Sequence, residues 1–134
     1  MGYRSDVLLA VAFDSKEERD EVWAVYCMNP NVQQHNLAEA WQTHDGDECF
    51  MLWYQATDVK WYESYEDVQG FEHMLELVEK FGAERDFNYA GCKLRIGENT
   101  DDAEAYDICS DDGTHLQHAL WDMCGIERRI INNF

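Results

Sequence analysis

Asp6-Val7-Leu8-Leu9-Ala10-Val11-Ala12-Phe13, followed at once by Asp14-Ser15-Lys16-Glu17-Glu18, is the stretch on which the fold turns. The apolar run is too short for a membrane span and reads as a strand ending at Asp14. Ser15 and Glu18 then stand at capping-box spacing, where each side chain satisfies an orphan N–H of a helix start. Val22, Val25 and Tyr26, with Met28, give a helix over 16–28 one apolar face. Asn29-Pro30-Asn31 interrupts it, because proline lacks the donor that a continuing helix needs.

A strand running straight into a capped helix opens a β-α-β unit, and the chain beyond it supplies a second. A further helical piece is expected over 31–42, carrying Val32, Ala38 and Trp41, with a turn at Asp45-Gly46-Asp47. The unbroken Phe50-Met51-Leu52-Trp53-Tyr54 makes 49–57 a strand buried on both faces. Val59-Lys60-Trp61-Tyr62 reads as a third strand or an edge extension. Ser64 caps a helix over 65–81 with Val68, Phe71, Met74, Leu75, Val78 and Phe81 at helical spacing, closed by Gly82. Strands follow at 87–96 and 103–110 around an acidic turn, then a polar loop at 111–118 and a last strand near 125–131. The order β-α-β-(β)-α-β-β-β predicts an α+β fold, a ferredoxin-like split β-α-β sandwich with additional C-terminal antiparallel strands.

The 134 residues suit one domain, 1–134, with 97–134 as appended strands or an acidic extension. Apolar residues make up 46%, enough for one core, while the formal net charge is −18. Such a chain is repelled at long range by nucleic-acid phosphate and by anionic membrane, so direct nucleic-acid or membrane binding is not expected. Interleaved aromatics argue against disorder. Five cysteines, at 27, 49, 92, 109 and 124, form no CxxC pair and fit free thiols in a reducing cytosol. No targeting segment is visible, and Asp6 stands where a Gly2 myristoylation signal wants Ser or Thr.

The opening Met1-Gly2-Tyr3-Arg4-Ser5-Asp6-Val7 resembles the start of a group of small, uncharacterised bacteriophage and prophage proteins. Val59-Lys60-Trp61-Tyr62 with Tyr65 and Val68-Gln69, and Arg95-Ile96-Gly97-Glu98 followed by Asp101-Asp102, are similar to their later signatures. The resemblance implies a phage gene product acting in the bacterial host cytoplasm. It carries over no catalytic residues, and 105–134 fall outside it.

The acids are the leading functional candidates. Glu72, Glu76 and Glu79 form a stripe opposite the apolar face of the 65–81 helix, and Glu17, Asp20 and Glu21 do so on the 16–28 helix. A four-residue step rises about 6 Å, on the order of the phosphate spacing of a nucleic-acid strand. Glu98, Asp101, Asp102 and Glu104 begin a segment without Lys or Arg. Any one such stripe is ordinarily a solvated face, but charge at this density opposes folding, so its retention points to use. Trp61 and Tyr62 are the aromatics expected to anchor a partner. The expected function is non-enzymatic, anti-CRISPR-like inhibition of a host defence complex, with carboxylates standing in for phosphates in its basic groove.

Other chemistries are weaker. Cys109, His115, His118 and Cys124 make a competent zinc donor set at an unfamiliar spacing, against a bland reading as loop histidines and buried thiols. Asp101, Asp102 and Glu104 lack the oxygen order of an EF-hand. There is no GxSxG, P-loop, HExxH or GxGxxG, and the acids beside His44 are ordinary turn residues. Neither an enzyme nor a cofactor is expected. The alternatives are a sequestering protein for a small molecule or signalling nucleotide, with Arg4, Lys60, Lys93 and Arg95 as its sparse cations, and a structural or replication accessory. Edge strands leave a homodimer open.

Overall fold

The computed structural model describes residues 3–99 and 101–124. It is an α+β structure in the order β1 (Ser5–Phe13), α1 (Lys16–Tyr26), α2 (Pro30–Gln34), a 3-10 turn (Leu37–Ala40), β2 (Gln42–Asp45), β3 (Phe50–Val59), α3 (Glu66–Arg85), β4 (Tyr89–Gly97), β5 (Ala103–Cys109) and α4 (Thr114–Cys124). One five-stranded sheet runs β2-β3-β1-β4-β5 with every neighbouring pair antiparallel. Helical connections carry the chain from β1 past β3 to β2, and from β3 past β1 to β4.

The central position of β1 explains its composition. Val7, Leu9, Val11 and Phe13 face a core built with Val22, Tyr26, Phe71, Met74 and Val78. Leu8, Ala10 and Ala12 face a second core with Cys92, Leu94, Leu116 and Leu120. The first core lies under α1, α2 and α3, and the second under α4, so the sheet is covered on both sides. Tyr26 near the end of α1 donates to Gly70 O near the start of α3 at 3.0 Å, and Arg85 reaches back to Glu21, so α1 and α3 run antiparallel. Among the described residues no helix is long and apolar enough to cross a membrane.

Several local expectations are corrected. The 31–42 helix is instead two short pieces, because Asn36 adopts a left-handed conformation (φ 54°) between them, and β2 follows where no strand was read. Val59 closes β3, and 60–62 form no strand, since Trp61 folds back to stack on Tyr54 and Phe71. Tyr65, not Ser64, holds the N-cap position of α3, because its amide closes a turn onto Tyr62 O at 2.9 Å. Gly82 does not end α3, which continues to Arg85. The polar loop is largely a helix: Leu116 and Leu120, one turn apart, are fully buried against the sheet. One C-terminal strand, β5, is present among the described residues, and the strand near 125–131 lies outside them. Ser15 does cap α1, accepting from Glu18 N at 3.1 Å, while its hydroxyl lies 3.0 Å from the Glu18 carboxylate.

Candidate functional site

The β4–β5 hairpin carries the feature that organises the site. Lys93 and Arg95 are two residues apart on one face of β4, the face shared with α3. Register places Tyr106 opposite Lys93 and Glu104 opposite Arg95. An alternating ladder of charge results. Lys93 Nζ contacts Glu72 of α3 and lies 2.7 Å from Glu104. Arg95 lies 3.3 Å from Glu104 and 2.9 Å from Asp102. Tyr3 donates to Asp102 at 2.5 Å and accepts from Asn99 N at 3.1 Å.

The electrostatics follow from this ladder. Burial opposes the Lys93 charge, but Glu104 and Glu72 outweigh it, so its pKa is raised. The Arg95 hydrogen bond, then that of Tyr3, holds Asp102 below its ordinary value. Lys93, against burial and with help from Arg95, does the same for Glu104. Both cations are therefore neutralised from within the chain.

Above the ladder lies a cleft of about 430 Å³ lined by Tyr3, Trp61, Tyr62, Glu63, Ser64, Lys93, Arg95, Asp102 and Glu104. The 60–65 connection forms one wall. Trp61 is held by stacking on Phe71, and Tyr62 by an edge contact with Tyr65 and by its hydroxyl, which accepts from Tyr3 N.

The sequence candidates thus divide. Trp61, Tyr62, Glu72, Asp102 and Glu104 come together in or beside this cleft. Glu98 is nearby and accepts from Arg4 N at 2.8 Å, while Asp101 is exposed in the same turn. Glu17, Asp20 and Glu21 lie on α1, which begins beyond the opposite end of β1, and none of them lines the cleft. Glu76 and Glu79 are exposed on α3, where Glu76 lies 3.6 Å from His73. The acids do not form one continuous stripe, and Glu21, Glu72, Asp102 and Glu104 are bound to Arg85, Lys93 and Arg95. Tyr3 and Glu63 were not singled out by the sequence. The cations at 93 and 95, interrupting an apolar strand at a spacing of two, were the legible sign of a charged face there.

Three of the four sequence-read zinc donors are otherwise engaged. His115 Nε2 lies 2.6 Å from Asp14, His118 stacks on Trp121, and the Cys109 thiol donates to Ser110 O; the Cys124 side chain lies outside the described residues. Among the described residues no three Cys, His, Asp or Glu are placed to hold a metal. Burial pushes the Cys27 and Cys109 thiols up, away from the reactive thiolate. Neither protein-family models nor curated proteins gave a match to the chain.

Proposed function

We propose that the protein is a phage-encoded, non-enzymatic inhibitor that docks on a Lys/Arg-lined groove of a host nucleic-acid-processing defence complex in the bacterial cytoplasm and denies it to nucleic acid. One observation carries this reading. Among the described residues twenty Asp and Glu are exposed, against five Lys and Arg (Arg4, Lys16, Lys60, Lys80 and Arg85). The less exposed cations Arg19, Lys93 and Arg95 are each satisfied by acids of the chain itself. The described surface therefore exposes four acids for each cation, an excess that steers it towards a basic surface. Nucleotide sequestration is less favoured, because Lys93 and Arg95 already hold Glu72, Glu104 and Asp102.

The test is the affinity for a candidate effector, such as a CRISPR complex, against ionic strength, with target DNA as competitor. Binding is expected to weaken steeply with salt and to exclude the DNA. Combined Glu17→Gln, Glu76→Gln and Glu79→Gln substitution is expected to slow association. An affinity flat from low to high salt overturns the docking mechanism.

A further inference from the structure

We propose that the cleft between the 60–65 connection and the β4–β5 hairpin seats one cationic side chain, an arginine or a lysine, of the basic partner; this rests on the docking reading above and names its anchor point. The sign of the ligand follows from a gradient of burial. Lys93 and Arg95 are 10% and 16% exposed at their side chains, beneath Asp102 and Glu104 at 31% and 41%. An approaching group meets the carboxylates first. Glu63 adds a third at the rim, with no side-chain partner among the described residues. The cations beneath make the Asp102 and Glu104 part of this rim rigid, since both carboxylates are held by charge-assisted hydrogen bonds. An anion would have to cross the rim to reach cations that are already paired.

The wall favours a cation as well. Trp61 and Tyr62 both line the cleft, and an aromatic face beside a carboxylate attracts a guanidinium or ammonium more than an uncharged group of the same size. Trp61 is stacked on Phe71 and Tyr54, so its ring needs no ordering when the ligand arrives. A partner residue seated here would supply the specific, central contact that long-range charge cannot.

The test is an amide and indole NMR titration of the whole protein with N-acetyl-arginine amide, its uncharged counterpart N-acetyl-norleucine amide, inorganic phosphate and AMP. Arginine amide is expected to shift the Trp61 indole and the amides around Lys93 and Glu104 saturably, with an affinity on the order of millimolar. Norleucine amide, phosphate and AMP are expected not to saturate. Glu63→Gln, at a side chain without a partner among the described residues, is expected to weaken the arginine response ~2–5-fold. Saturation by phosphate or AMP, or arginine shifts spread over the exposed acids without saturation at the cleft, overturns the assignment. A cleft silent to arginine in a protein whose effector binding remains salt-sensitive overturns the anchor alone. Salt-flat effector binding strikes instead at the docking reading.

Discussion

Tyr26 shows how much one buried hydroxyl holds in place. It is fully buried, donates to Gly70 O and accepts from Trp41 Nε1 at 3.0 Å, joining α1, α3 and the 3-10 turn. Tyr26→Phe leaves the Trp41 Nε1 donor buried and unpaired and takes from Gly70 O its bond beyond the helix, and is expected to cost about 1–3 kcal/mol in urea unfolding. Burial, against the Trp41 hydrogen bond, raises its pKa above the ordinary 10.0. The stabilisation is therefore complete below pH 10 and is lost as pH rises towards the folded value. The Lys93 ladder has the opposite sign. Glu104 and Asp102 titrate below their ordinary 4.5 and 3.8, so their contribution is full above those values and disappears as pH falls through the folded ones. Lys93→Met is expected to flatten that acid limb in urea melts taken between pH 5 and 3, while lowering stability at neutral pH.

At the scale of elements, the glycines of α3 separate two causes. A Cβ at Gly82 would run into the ring of Tyr89, whereas at Gly70 it would meet the flexible end of Leu37. Helix propensity alone makes each Gly→Ala favourable by about 1 kcal/mol. Gly82→Ala is instead expected to destabilise by about 1–3 kcal/mol in chemical denaturation, and Gly70→Ala by distinctly less. The same glycine explains a limit of reading from sequence, where Gly82 looks like a stop signal but serves close packing. Elements with strong periodicity or an unbroken apolar run, β1, α1, α3, β3 and β4, were legible. β2 was not, because its Gln42-Thr43-His44-Asp45 has no apolar pattern and is a strand only by pairing with β3. Nor was α4, whose His115 and His118 drew the eye to metal chemistry while Leu116 and Leu120 carried the helix. The cleft was half legible: its aromatic wall and hairpin acids were named, but pairing 93–95 with 102–104 requires the hairpin register.

For the molecule as a whole, the net charge of −18 is a load on the folded state. Added sodium chloride screens it, so the urea midpoint is expected to rise between about 0.02 M and 0.5 M salt. A midpoint that falls with salt would show that the internal ion pairs dominate instead. The sheet order has a separate consequence, in time rather than energy. β1 is synthesised before both of its neighbours, β3 and, later still, β4, whose Gly97 pairs with Ser5. At ordinary rates of translation the ribosome needs on the order of 5–15 s to deliver the chain from Phe13 to Gly97. For that interval the most apolar strand of a highly acidic protein waits on the nascent chain without its second hydrogen-bonding neighbour, a natural client for the chaperones at the tunnel exit.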